Sequence, residues 1–115
     1  MTTICHGELW ERNILLKNKR RNNQSTEENS DNVKILDWKN AKIATATLDL
    51  AFLLLSSTNS AMRSESTGEI LSTFHDVFCN YLSILNPSLD KPSIEELEAD
   101  YYHSLEYALL QVNFW

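Results

Sequence analysis

Glycine is nearly missing from this chain of 115 residues: Gly7 and Gly68 stand alone and far apart. A phosphate cradle of the G-x-G-x-x-G or G-x-x-x-x-G-K-[ST] kind needs several glycines close together, so that backbone amides can approach the phosphates. Neither pattern occurs, and nor does the G-x-S-x-G nucleophile elbow. Cysteine is equally scarce, and Cys5 and Cys79 allow one bridge at most. The stretch from Met1 to Leu15 is interrupted by His6, Glu8, Glu11 and Arg12, unlike the apolar heart of a secretory segment, and the expected setting is therefore reducing and cytoplasmic. Long apolar runs are lacking too. The longest, Leu50 to Leu55, falls far short of the ~20 residues that cross a bilayer, so no membrane contact is expected. Positive charge is in deficit, 10 Lys and Arg against 16 Asp and Glu for a net −6, which argues against a nucleic-acid partner held by phosphate neutralisation.

What is present is ordinary globular material, 43% hydrophobic and 23% charged, in a length that suits one core. Thr2-Thr3-Ile4-Cys5, Ile14-Leu15-Leu16 and Val33-Lys34-Ile35-Leu36 are short and β-branched, and predict three brief strands in one small sheet. Residues 17–32, Lys17 to Asn32, carry no hydrophobic side chain and read as a polar hairpin tip; the basic cluster Lys17, Lys19, Arg20 and Arg21 within it reads as solvated. Beyond Asp37 the pattern turns helical. Leu50 to Leu55 is apolar on almost all sides, which suggests a buried central helix with Asp49 near its start. Ile70, Leu71, Phe74, Val77, Phe78, Tyr81, Leu82 and Leu85 recur at helical steps behind a Ser66–Glu69 capping-box spacing, up to Asn86-Pro87. Ser93 and Glu96 repeat that spacing ahead of Ile94, Leu97, Tyr101, Leu105, Ala108 and Val112. The expected class is α+β, a short β-hairpin region followed by three main helices. His75 and Cys79 share a helix face, but zinc wants four ligands and the remaining Cys and His show no supporting spacing, so the pair reads as packing. Trp10 reads either as the wall of an acceptor pocket or as packing beneath the loop.

The chemistry-bearing text is His6-Gly7-Glu8-Leu9-Trp10-Glu11-Arg12-Asn13-Ile14-Leu15, then Leu36-Asp37-Trp38-Lys39. An acidic residue, an Asn five positions on and a strand-closing Asp resemble the catalytic half of a phosphotransferase, in which H-R-D-L-x-x-x-N supplies the acid and a metal-binding amide. The wording is closest to the ecdysteroid kinase-like (CHK kinase-like) family, kin to choline kinases and aminoglycoside phosphotransferases, with its H-G-D-L-W-x-x-N-I-L and I-D-F-Q. Asp49-Leu50, twelve residues after Asp37, is similar to that family's Asp-Leu pair, and Arg63 and Pro92 to Leu97 resemble its C-terminal half.

That resemblance implies the C-terminal lobe of a protein-kinase-like fold over residues 1–115, and transfer of the γ-phosphoryl group of ATP, with Mg2+, to a small-molecule alcohol. It implies Glu8 in the place of the catalytic Asp, Asn13 and Asp37 as metal- and cofactor-binding residues, and His6 and Asp49 as structural supports of the loop. Three departures stand out: Glu8 replaces Asp, Lys39 replaces Gln, and Ala46 replaces a Pro ahead of the Asp-Leu pair. One extra methylene moves a carboxylate by about 1 Å, enough to slow a reaction on the order of a hundredfold. The kinase pattern's covering loop and phosphate-binding Lys have no counterpart ahead of His6 in these 115 residues. The expectation is a catalytic half that is inactive or weak alone, and its rival is a non-catalytic binding or scaffold module that meets a protein partner through exposed apolar surface.

Overall fold

A computed structural model describes residues 1–17 and 32–113. The architecture is α+β: β1 (Thr2–Cys5), β2 (Ile14–Leu16), β3 (Val33–Ile35) and β4 (Lys42–Thr45), followed by α1 (Leu48–Ser57), α2 (Ser60–Leu85) and α3 (Ile94–Asn113). The expected single sheet is instead two antiparallel pairs, β1 with β4 and β2 with β3. Strand β4 was absent from the sequence reading because its partner lies some 40 residues earlier in the chain, and four residues with one outward Ile carry little periodic signal. β2 and β3 form the predicted hairpin, with Ile14 opposite Ile35 and Leu16 opposite Val33. Its pairing continues to Lys17, whose N–H donates to the Asn32 carbonyl at 2.8 Å. The rest of the predicted tip, with Lys19, Arg20 and Arg21, lies outside the described residues.

The core gathers around α1. Ala51, Phe52 and Leu54 from α1 meet Leu71 of α2 and Tyr101 and Ala108 of α3, with Trp10, Leu50, Leu105 and Val112 packed at the edge. This helix is apolar on nearly all sides because α3 and the loop after β1 cover it together, as its composition requires. A buried hydroxyl pair, Thr47 Oγ1 and Ser104 Oγ 2.9 Å apart, ties the start of α1 to α3. At the other end the Arg63 guanidinium donates to the Thr58 carbonyl at 2.6 Å and closes the last turn of α1.

Two helix expectations change. The start of α2 is not Ser66 but Ser60, with Asn59 as N-cap, its side-chain oxygen accepting the Met62 N–H at 2.9 Å. Ser66 and Glu69 therefore sit inside the helix, Ser66 seven residues, about two turns, beyond the N-cap. The apolar face of α2 is also only partly used: Leu71 is buried, while Val77, Tyr81 and Leu85 are 50%, 60% and 79% exposed. In α3 the expected face does form, with Leu97, Tyr101 and Ala108 buried, and Ser93 Oγ accepts the Glu96 N–H at 3.1 Å. His75 and Cys79 turn to one point, His75 Nε2 lying 2.9 Å from the Pro92 carbonyl and 3.4 Å from Cys79 Sγ.

Two outcomes follow from these contacts. Asn59→Ala should lower stability by about 1 kcal/mol, whereas Ser66→Ala should stay within about 0.5 kcal/mol, as read by urea unfolding. Both cysteines are free thiols. Burial, and secondarily the nearby Asp49 carboxylate, push the Cys5 thiol above its ordinary value, so less of it is thiolate at any given pH. Iodoacetamide at mildly alkaline pH should therefore label Cys79 in the folded chain and reach Cys5 only on unfolding; equal labelling of both would contradict this packing.

Candidate active-site loop

The loop from His6 to Asn13 starts where β1 ends and is held from two sides. One side is the first turn of α1. Asp49, the second residue of that helix, accepts the His6 N–H at 2.6 Å with Oδ2 and the Gly7 N–H at 3.0 Å with Oδ1. A carboxylate is favoured there by the helix dipole, and here both of its oxygens are engaged by the loop. The other side is the strand that leads to Asp37. His6, fully buried, places Nε2 2.7 Å from the Leu36 carbonyl, while its Nδ1 lies 3.1 Å from the Glu8 N–H. A ring nitrogen that accepts from an amide carries no proton, so Nδ1 is the acceptor and Nε2–H donates to Leu36, which fixes a neutral tautomer. The Trp38 ring meets the His6 ring edge-on at 4.8 Å, and its indole N–H donates to the Ile35 carbonyl at 2.9 Å.

Glu8 is tethered through its backbone. Its carbonyl accepts the Trp10 N–H at 3.0 Å and the Asn13 Nδ2–H at 2.9 Å. Among the described residues its carboxylate enters no hydrogen bond or ion pair. Asn13 is buried, and because its amide nitrogen is committed to Glu8, its Oδ1 is the atom left to accept a cation. The Asn13 carbonyl accepts the Leu36 N–H at 2.8 Å, one residue before Asp37. Asp37 is the one non-glycine residue with positive φ among those described, φ 62 and ψ 68, and it opens the tight turn Trp38–Asn40. Its Oδ2 lies 3.7 Å from Lys39 Nζ.

Glu8 is thus tied to Asn13 through the Asn13 side-chain amide, Asn13 is tied to Leu36, the residue before Asp37, through the backbone, and His6 and Asp49 brace the same loop. No group of three or more His, Cys, Asp or Glu side chains that could hold a metal occurs among the described residues. Asn13 and Asp37 would supply one amide oxygen and one carboxylate, hard oxygen donors of the kind that suit Mg2+. Trp10 packs inward, tilted against Phe52 at 6.0 Å with the Arg12 guanidinium 3.9 Å above its ring, so the packing alternative describes it. A cavity of about 510 Å³ lies elsewhere, between β4 and α3, lined by Lys42, Asp100, His103 and Tyr107 among others; none of the loop residues lines it. Among the described residues no helix is long and apolar enough to cross a membrane.

Gly7 escaped the sequence reading as a site residue, although a lone glycine in a glycine-poor chain is the signal that marks it. At φ 92, a Cβ on Gly7 would lie 2.4 Å from the Asn40 carbonyl oxygen, a backbone atom that cannot step aside. Gly68, in α2, has open space around it. Gly7→Ala should destabilise the fold by about 2–3 kcal/mol, and Gly68→Ala should stabilise it by up to about 1 kcal/mol, both measured by thermal or urea unfolding.

No curated protein and no solved structure matches this chain. A family model does. The model of the ecdysteroid kinase-like family matches residues 1–87, a stretch that takes in both strand pairs, the loop that Asp49 holds, and the first two helices. With three quarters of its length so matched, around the loop whose wording first suggested it, the chain belongs to the ecdysteroid kinase-like family.

Proposed function

We propose that this chain is the catalytic half of an ATP-dependent phosphotransferase that acts on a small-molecule alcohol. The observation that carries the reading is Asp37. A non-glycine residue in the left-handed region costs of order 1–3 kcal/mol, a strain that persists where the surroundings hold it and that clusters at working sites. Here it falls on the residue whose position corresponds to the family's metal-binding Asp, one peptide beyond the amide that Asn13 holds.

In this reading the loop acts by positioning. Glu8 has its backbone fixed at N–H and carbonyl, leaving the carboxylate to orient an acceptor hydroxyl and take up its proton. Asn13 and Asp37 hold the magnesium, which when bound neutralises charge on the transferring phosphoryl group. His6 and Asp49 keep the loop in register and touch neither acceptor nor nucleotide. The extra methylene of Glu8 relative to Asp favours a slow transfer step, and this chain alone is expected to be weakly active or inactive. Steroid, choline-like and other alcohols remain equally good acceptors on these residues.

The binding-module reading has its own observation. Ile4 and Ile43 face each other across β1 and β4 and are 72% and 75% exposed, an apolar pair on an open sheet face. A strictly monomeric chain in light scattering would count against a self-associating version of it.

Calorimetry with ATP and Mg2+ on the whole chain tests the phosphotransferase reading. Binding should require Mg2+, disappear in Asp37→Ala, and survive Glu8→Gln, since that side chain serves the acceptor. Nucleotide binding that ignores both Mg2+ and Asp37 would overturn it.

A further inference from the structure

Asp37 already faces a cation that belongs to the chain. Lys39 Nζ lies 3.7 Å from Asp37 Oδ2, and this is the ion pair Asp37 makes among the described residues. The contact follows from the local backbone: the left-handed Asp37 turns the chain into Trp38–Asn40, which brings the side chain two residues on back over the carboxylate. Both groups reach solvent, with side-chain exposures of 70% for Lys39 and 39% for Asp37, so the ammonium is free to swing away when something displaces it. The neighbouring indole of Trp38 is held on His6 and Ile35, whereas the Lys39 ammonium has the Asp37 carboxylate as its ion-pair partner.

We infer that Lys39 is an electrostatic selector at Asp37: it repels a bare divalent cation and favours one that arrives on an anionic polyphosphate. The inference rests on the phosphotransferase reading, in which Asp37 is a metal-binding residue. The argument is one of charge sign. A free Mg2+ approaching Asp37 meets a resident positive charge a few ångströms from its binding oxygen and must compete with it. The Mg2+–ATP complex carries net negative charge, so the same ammonium, once it leaves the carboxylate, lies beside phosphate oxygens and attracts them. Lys39 thus opposes one ligand and helps the other from a single position. Because the pair is solvent-exposed, each effect is modest and is screened by salt.

Lys39→Gln separates the two effects, and the full chain with intact Glu8, Asn13 and Asp37 serves for the test. Affinity for Mg2+ alone is read from the shifts of the Asn13 side-chain amide and the Leu36 backbone amide, and affinity for Mg2+–ATP by calorimetry. In Lys39→Gln the first should rise roughly three- to tenfold and the second should fall by a similar factor at low ionic strength. Lys39→Arg should stay near the parent chain, and Lys42→Gln, which removes the same charge from β4, should change neither. Both differences should shrink toward unity at half-molar salt, as a merely structural role for Lys39 would not require. Equal affinities in parent and Lys39→Gln, or changes of the same sign for both ligands, would overturn the selector while leaving the metal site standing. If neither protein shifts its Asn13 and Leu36 signals with Mg2+, the metal site and the selector fall together.

Discussion

The carboxylate of Asp49 is the contact through which the helical core governs the loop. It accepts two successive backbone amides, those of His6 and Gly7, and each such charge-assisted bond is worth about 1.5–3 kcal/mol. It is able to do so because packing and a buried hydrogen bond position the start of α1. Ala51 and Phe52, one turn further on, are buried between α3 and the loop, and the Thr47–Ser104 hydroxyl pair fixes the first turn of the same helix. Packing energy in the interior is thereby converted into position at the surface. An asparagine at residue 49 would offer one acceptor where two amides need one each, which is why the acid rather than its amide suits this place.

From that anchor the remaining geometry follows by backbone links. His6 reaches the Leu36 carbonyl, Asn13 bonds Leu36 through its own carbonyl and Glu8 through its side chain, and the short β2–β3 pair returns the chain so that these bonds can close. Gly7 belongs to the same arrangement, since the loop passes so close to Asn40 that no Cβ fits between them. The left-handed conformation of Asp37 is tolerated because the residues on either side of it are tied, Leu36 to Asn13 and His6, and Trp38 to Ile35 and the His6 ring. Strain of this kind needs such over-determination to persist.

Much of this was legible in the sequence, and the illegible parts share a cause. Periodicity locates the face of α3 because Leu97, Tyr101 and Ala108, at steps of four and seven residues, share one face against a close neighbour. The same periodicity overstates α2, where Val77, Tyr81 and Leu85 have the right spacing but keep half or more of their surface exposed. Ser93–Glu96 caps a helix and Ser66–Glu69 does not, although the two spacings are identical, because Asn59 captures the start of α2 about two turns earlier. In the loop, the motif names the residues but not the atoms they use. That Asn13 spends its nitrogen on Glu8, that Asp49 spends both oxygens on amides, and that Lys39 folds back over Asp37 all depend on contacts between segments distant in the text or on one unusual φ. β4 was missed for the same reason, its identity as a strand being conferred by β1.

Three of the acidic residues of this region, Asp49, Asp37 and Glu8, show how one functional group acquires different duties from its partners. Asp49 has each of its oxygens engaged by a backbone amide and so acts as a structural anion that braces the loop. Asp37 is balanced by a flexible ammonium, a partner that can leave, so its charge is held in reserve. Glu8 is fixed by its backbone and carries a carboxylate that no described residue neutralises. In a chain of net charge −6, neighbouring carboxylates disfavour one another, and an amide or ammonium partner offsets that cost. Amides counter the first and a lysine the second. Among the described residues neither Glu8 nor Glu11 has such a partner for its carboxylate, so within one short stretch the duty of each acid is set by what its neighbours supply.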